Sequence, residues 1–507
     1  MNPQNNKARR RALFSASLAI MLAGAAVGTT RAAVEADPTF LFPADDPELQ
    51  YVYWCHLLPD GKILAGGNNA FRLKVDGTRD TSFALVPAPY GYSKPVLEPG
   101  GGFTTFGSYY DYPTKSVIPF GRRFDANGAH DPTFQPQFGP FVDIRLSARD
   151  AGGGYLLFGE GLVPPAPGQG YNPALIRLLP GGSVDPAFTP FLGFYVYSMT
   201  PVEKGEWLLA AQDFTPDSDE LRYLLVRIRA NGIVVSQHPF VTGDPTGIPP
   251  SHIQQQPDGR ILIGGGGLLL SRVRANGVFD PTFKTIWGEG PSDPAISGFV
   301  RLRNGRIVVG SRALGAYVAH PREWPLPENA ANWPHQALFR AMPDGMIDLS
   351  YDLSAALNAT EYLGVTDLAV QPDGKVVTAT GVALRRFREV HSPAVFAFGE
   401  KVVTVNENRW FAELTIYRTG DVDTRGAVTF ATVEPDSTAV PGRDYWSFRA
   451  RIHFDRGVWK RTVFVPLRDD RVADGTKRVV VRLSNPDTAS TIYSVDSAAI
   501  EILDNEE

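Results

Sequence analysis

The chain reads as all-β: a seven-bladed β-propeller followed by an immunoglobulin-like β-sandwich. Three observations carry that expectation. A turn-and-strand phrase recurs seven times between residues 37 and 388. Asp-Gly and Asn-Gly dipeptides separate short apolar runs throughout that region. Beyond residue 391 the phrase stops, and runs of four to seven alternating residues take over. The 50 glycines and 42 prolines among 507 residues suit a protein of many tight turns. That length holds one large repeat assembly and a small module.

Composition removes several classes of function. A lone Cys55 excludes a disulfide framework, a four-cysteine zinc site and an iron–sulfur cluster. The formal charge of −5, without a basic block in the body of the chain, argues against nucleic acid as a partner. Residues 1–33 stand apart. Lys7, Arg9, Arg10 and Arg11 precede an apolar run from Leu13 to Val27, and the small residues Thr30, Ala32 and Ala33 follow. This is the pattern of a secretory signal, expected to be cleaved near Ala32 or Ala33. The Arg10-Arg11 pair also fits a twin-arginine route. The run is short and rich in Ala and Gly, unlike a spanning helix. Export is therefore expected, with the mature chain secreted, periplasmic or at the cell surface and lacking a membrane span. Removing residues 1–33 takes the formal charge from −5 to −10.

Residues 34–391 form the repeat region. Its first phrase is a turn such as Pro59-Asp60-Gly61 leading into Lys62-Ile63-Leu64-Ala65-Gly66-Gly67, with close copies at Pro257–Gly265 and Pro372–Val377. Weaker copies begin near Gly100, Gly153, Lys204 and Asn304. The second phrase is an apolar-Arg-apolar strand, another turn and a tail like Asp131-Pro132-Thr133-Phe134. Asp-Gly and Asn-Gly accept the positive φ of two-residue hairpin turns, so two turns per repeat predict four short antiparallel strands. Gly61 and Gly374 lie six repeats apart, a mean period of about 52 residues, near the blade length of propellers. An open solenoid shares that pattern, but the chain ends favour a ring. Asp37-Pro38-Thr39-Phe40 is a tail without a preceding repeat, whereas the seventh repeat, ending at Phe387, has no tail. The amino-terminal segment is expected to supply the missing outer strand and remove an open edge.

These residues resemble the delta-60 repeat family, whose pattern is Gln-Pro-Asp-Gly-Lys-Ile, then Arg-Leu, Asn-Gly and Asp-x-x-Phe. Gln256 to Gly265 and Gln371 to Val377 carry the match most fully. In the fourth repeat the tail Gln237-His238-Pro239-Phe240 has lost its Asp. The resemblance implies a secreted or cell-surface bacterial propeller and implies no reaction.

Insertions mark a face of a repeat protein. Four fall at the same link, between the Gly-Gly strand and the Arg strand: Ser108–Gly121, Glu160–Ala174, Gln212–Leu224 and Ser311–Ala337. They carry Tyr109, Tyr110, Tyr112, Tyr171, Phe214, Trp324 and Trp333, candidates for binding an extracellular glycan or protein through stacking on a rigid scaffold. The same rings could instead pack the insertions onto the blades.

Residues 392–507 read as one sandwich, with strands at Val402–Val405, Phe411–Tyr417, Ala427–Thr432, Arg451–Phe454, Arg461–Leu467 and Arg478–Leu483. Glu407 after a Val-x-Val strand, Thr438–Tyr445, Asp469-Asp470 before Leu483-Ser484-Asn485-Pro486, and Ile502–Glu506 together resemble the Calx-beta domain. Some members of that family bind calcium at one end of the sandwich. The resemblance implies Glu407, Asp444, Asp469, Asp470, Asp474 and Asp504 as ligands, with Glu506 beside them. Calcium takes six to eight oxygens, and bunched carboxylates need a cation to offset their repulsion. Arg471 and Lys477 stand where acidic residues are usual, so a metal and an internal cation bridge both fit the pattern.

The eight histidines show no metal-ligand spacing, and no nucleophile elbow occurs. Gly264–Gly267 closes a strand instead of opening a helix, and Cys55 lies in an apolar strand. The expected function is an exported, non-enzymatic binding or adhesion protein. The alternative is a carbohydrate-active enzyme with two carboxylates about 5–10 Å apart in the central channel; a structural surface-layer element is a third.

Overall fold

The computed structural model describes residues 34–87, 94–139, 141–161, 173–189, 191–192, 194–213, 222–239, 250–265, 268–289, 296–311, 317–319, 338–351, 364–390, 393–488, 490–493 and 496–505. The expected signal, residues 1–33, lies outside them. Among the described residues helix is confined to short 3₁₀ turns, and none is long and apolar enough to cross a membrane.

Among the described residues seven sheets follow one another between Val34 and Glu389. The first is built from Val52–Leu57, Ile63–Gly67, Asn69–Leu73 and Val86–Pro87, in that order. Its second strand is buried at every position, as are Ile261–Gly265 and Ile307–Ser311 in the fifth and sixth sheets. Covered on both faces by neighbouring sheets, these strands read as continuous apolar runs without alternation. An apolar cluster fills each junction. Trp54 and Leu64 of the first sheet meet Phe103 and Phe124 of the second, and Val308 of the sixth meets Leu368 and Val376 of the seventh. Val377 and Leu384 of the seventh then meet Val52 and Ile63 of the first, closing the ring. First strands of successive sheets lie against one another and face the axis.

The amino-terminal segment joins the seventh sheet as expected, with a shift in which residues pair. Val34–Ala36 forms the outer strand, antiparallel to Phe387–Glu389. The phrase Asp37–Phe40 makes a turn that locks the strand in place. Its geometry explains the whole repeat signature. Asp37 accepts hydrogen bonds from the Thr39 backbone N–H at 3.0 Å and the Thr39 hydroxyl at 2.7 Å, an Asx turn. Its other oxygen takes the Arg386 Nε–H at 2.9 Å, and Arg386 lies 4.8 Å from the Phe40 ring centroid. Phe40 then sits on Gly77 in the first sheet's turn, where a Cβ would approach its ring to 2.8 Å. That glycine also has φ +88°, so the Asn-Gly/Asp-Gly preference has two causes. The Leu41 N–H closes the contact on the Asp76 carbonyl at 2.7 Å.

The same staple recurs around the ring. Arg72 holds Asp80 at 2.8 Å, Arg123 holds Asp131 at 2.9 Å, Arg272 holds Asp280 at 2.8 Å and Arg340 holds Asp348 at 2.8 Å. The sixth-repeat tail, Asp348-Leu349-Ser350-Tyr351, places Tyr351 under Arg340 where other repeats use Phe. In the first, fifth and seventh repeats the basic residue after the turn glycine also reaches the tail: Lys62 to Asp80 at 3.0 Å, Arg260 to Asp280 at 3.4 Å and Lys375 to Asp37 at 3.4 Å. The degenerate fourth repeat reverses this arrangement. Glu206 occupies the position of Lys62, the tail carboxylate is gone, and Arg227 takes Glu206 at 3.0 Å instead. The strand arginine of this repeat keeps a carboxylate partner, moved from tail to turn.

The carboxy-terminal sandwich packs two sheets around Phe396, Leu414, Ile416, Phe430, Tyr445, Val465, Val481 and Ile500. One contains Lys460–Pro466, Phe411–Thr419, Ala394–Phe398 and Ser490–Ile492; the other contains Val402–Asn406, Ser497–Leu503, Lys477–Ser484, Gly426–Val433 and Arg449–Phe454. Hydrogen bonds from both sides attach it to the ring. The Tyr417 hydroxyl and Lys460 Nζ donate to Asp344 in the sixth sheet's turn at 2.8 and 3.1 Å. Lys284 donates to the Gly399 carbonyl at 2.7 Å, and Arg306 donates to the Gly420 carbonyl at 3.0 Å. Met342 and Met346 pack against Tyr417 and Trp459 beneath them. Burial and the Asp344 carboxylate push the Tyr417 phenol well above its usual range, so it remains a donor.

Candidate functional sites

Antiparallel order gives each sheet of the ring two edges. Turns between first and second, and third and fourth, strands share one edge. Links between second and third strands, and between sheets, share the other. Asp344 belongs to a third-to-fourth turn, so the sandwich is docked on the turn edge. The described aromatic residues expected to form a recognition surface, Tyr109, Tyr110 and Tyr112, belong to the link edge.

Of those residues Tyr109, Tyr110 and Tyr112 are described; Tyr171, Phe214, Trp324 and Trp333 lie outside the described residues. Ser108–Gly121, expected as an inserted loop, instead prolongs two strands. Phe103–Asp111 pairs with Ser116–Phe124 without a register shift as far as Asp111 opposite Ser116. The Lys115 φ of 54° turns the tip of this ribbon. Tyr109 packs 6.3 Å from the Phe120 ring. Tyr110 and Tyr112 are exposed, edge to face at 5.0 Å. The sixth-repeat insertion has a packing role as well: Tyr317–Ala319 pairs with Ile286–Glu289 as a fifth strand of the fifth sheet.

Three carboxylates on the first and second strands of the sheets, Asp367, Asp143 and Glu160, are engaged. Asp367 accepts the Cys55 and Leu368 N–H groups, each at 2.9 Å, and pairs with Lys94 at 2.8 Å, tying three sheets together. Arg145 takes Asp143 at 3.2 Å and Glu160 at 2.6 Å. Beside them His56 bonds the Pro95 carbonyl through Nε2 at 2.7 Å; burial and the Lys94 charge hold its pKa down to about 3, leaving it neutral. Cys55 is buried and its thiol pushed up by burial and by Asp367, which suits an inert apolar filler.

The acidic group lies at the end of the sandwich away from the ring. Tyr417 pairs with Lys460 at the docked end, and Phe411 pairs with Pro466 at the far end. There Asp444, Asp470 and Asp474 converge, with carboxylate oxygens within 4.8 Å of one another. Asp504 ties down the loop instead, accepting the Asp474 N–H at 2.6 Å and the Gly475 N–H at 2.5 Å. Glu407 is buried and accepts the Asn505 N–H at 3.5 Å. Asp469 is exposed and stays outside the convergent group; Glu506 lies beyond the described residues.

Two internal cations sit among these carboxylates. Lys477 Nζ reaches Asp444 at 3.0 Å and also contacts Asp474. Arg443 reaches Asp444 at 3.0 Å and Asp474 at 2.7 Å. Burial opposes ionisation of Asp444, but the Val440 N–H, Lys477 and Arg443 together hold its pKa below the usual range. Lys477 is raised against its own desolvation by the two aspartates. The expected bridge thus exists, but with Arg443 in the place foreseen for Arg471. The signal was the adjacency of Arg443 to Asp444 after the positive-φ Gly442. As arranged, these residues fit a divalent ion only when Lys477 moves aside.

The Calx-beta domain family matches residues 390–506, and a family described as a domain of unknown function (DUF5122) beta-propeller matches residues 58–83 and 256–283. The latter two are the first and fifth repeats. A curated relative, extracellular matrix protein 3 of Lytechinus variegatus, is 34% identical over 102 residues, which cover 20% of this chain and 3% of that protein. The apo-form Calx CBD1 domain is 27% identical over 23% of this chain and 100% of its own, with a TM-score of 0.22. A streptogramin B lyase is 13% identical over 70% of this chain and 98% of its own, with a TM-score of 0.42.

Proposed function

We propose that the protein is an exported, non-catalytic binding protein whose ring presents its link edge to an extracellular glycan or protein. The observation that carries this reading is the docking of the sandwich on the turn edge through Asp344, Lys284 and Arg306, away from Tyr110 and Tyr112. Pairing of Asp367, Asp143 and Glu160 with Lys94 and Arg145 supports binding over carboxylate catalysis. The extracellular setting is supported by the name of the matrix relative and by the expected signal.

In this reading the sandwich is a fixed arm that holds its acidic end by Lys477 and Arg443. Calcium binds there only by displacing the Lys477 ammonium, which places it at the weak, extracellular end of the calcium range, about 10⁻⁴–10⁻³ M. The test is a glycan array and a matrix-protein panel probed with the mature chain and with Tyr110→Ala/Tyr112→Ala. Binding that weakens in the double variant supports the reading; a mature chain that binds neither panel overturns it.

A further inference from the structure

A second surface lies on the sandwich, independent of the link edge. At the far end of the Lys460–Pro466 strand, Phe411 stands directly opposite Pro466 on one side. On the other side the Trp446 N–H bonds the Pro466 carbonyl at 3.0 Å. Tyr445 bridges Leu467 with both side chains inside the core. Alternation therefore turns Trp446, Pro466 and Phe411 outward in one row across the sheet. Phe464, two residues along, joins the row with its ring 6.2 Å from that of Phe411. Trp410 flanks it, bound through its carbonyl to the Leu467 N–H at 3.0 Å. Trp410, Trp446, Phe411 and Phe464 are 82%, 55%, 50% and 48% exposed.

We propose that this row binds a neutral polysaccharide chain by stacking of its sugar rings. Strand spacing sets Trp446 and Phe411 roughly 10 Å apart, about the span of a disaccharide unit. Exposed aromatic area sums to roughly 500 Å², taking 150–250 Å² per ring system. A protein partner or second copy needs about 800 Å² per side, whereas a few sugar rings cover the smaller patch. Strand addition by another chain is opposed by Lys460, Arg461 and Pro466 on this sheet edge. Charge beside the row is mixed, with Glu413 opposite Phe464 and Arg468 held over Trp446 at 5.3 Å, so neither sign of charged polymer is favoured over a neutral one. Rings anchored on a sheet lose little freedom on binding, which favours them as contact points.

The test is native affinity electrophoresis of the mature chain in gels of hydroxyethylcellulose, xyloglucan, galactomannan or alginate. Retardation is expected in at least one neutral gel and not in alginate. It should fall about tenfold in Phe411→Ala/Trp446→Ala while the melting temperature is unchanged, since both side chains are exposed. Tyr110→Ala/Tyr112→Ala should leave it intact, which separates this site from the link edge. No retardation in any neutral gel overturns the proposal, as does preference for alginate or retardation unaltered by Phe411→Ala/Trp446→Ala. A dimer in sedimentation velocity that this double variant abolishes assigns the row to a second copy and equally overturns it.

Discussion

Replacing Asp37 by Asn probes the joint between the chain's two ends. The Asp37 carboxylate is 1% exposed and faces Arg386, itself 4% exposed. Burial opposes its ionisation, yet Thr39, Arg386 and Lys375 lower its pKa from 3.8 to about 2. That shift corresponds to about 2 kcal/mol in favour of the folded state at neutral pH. Breaking one partner of a buried pair costs about 3–5 kcal/mol, and Asn keeps the Thr39 contacts, so a loss of about 2–4 kcal/mol is expected. The sign with pH follows from a lowered folded pKa. Stabilisation is complete above the unfolded value near 4 and disappears as pH falls toward 2. Guanidinium unfolding of the mature chain and Asp37→Asn at pH 7 and pH 2.5 reads both effects. The difference between the two proteins should shrink to about a third at the lower pH. Asp131→Asn is the control, because Asp131 makes the same contacts to Thr133 and Arg123 at an exposed position, and its loss should be clearly smaller. Equal losses for the two variants, or an Asp37→Asn deficit undiminished at pH 2.5, would refute the reasoning.

Glu206→Lys should destabilise the fourth sheet by about 1–2 kcal/mol by setting a second cation against Arg227, read as a lower unfolding midpoint. Glu206→Gln should lose less. Asp344→Ala removes the acceptor for Tyr417 and Lys460; cleavage by a nonspecific protease near residues 390–393 should become several-fold faster, with both fragments still folded. Lys477→Met should lower the calcium concentration that raises the sandwich's melting temperature at least about tenfold. Micromolar calcium acting on the unmodified chain would contradict the proposed displacement of Lys477.

Much of the fold was legible because the repeat phrase is itself an inter-sheet contact. Asp-x-Thr-Phe in one repeat and Asn-Gly in the next specify the two halves of a staple, so Phe40 and Gly77 could be read before their meeting was seen. The sandwich strands were equally readable, since alternation survives wherever one sheet face meets solvent. Three features were not. The sixth-repeat tail carries Tyr351 for Phe and follows a long insertion. Exchange of Glu206 for a tail aspartate keeps the charge pair while deleting both sequence signals. Docking through Asp344, Tyr417 and Lys284 joins residues that are unremarkable in their own segments, and nothing local marks such a contact. At the acidic end the residue types were evident, but which cation reached Asp444 depended on loop geometry. The Trp446–Pro466–Phe411 row escaped notice because it forms across three separate segments.

Closure of the ring by the amino-terminal strand is tested most directly by a cross-link between Glu35 and Arg388, which are paired across the last two strands of the seventh sheet. Facing residues on antiparallel strands lie about 4.5–5.5 Å apart at Cα, within disulfide range, and Cys55 is buried and will not compete. Glu35→Cys/Arg388→Cys should form an intramolecular disulfide in high yield and raise the melting temperature under oxidising conditions. Free thiols after mild oxidation, or disulfide-linked dimers in place of the internal bond, would contradict the closed ring.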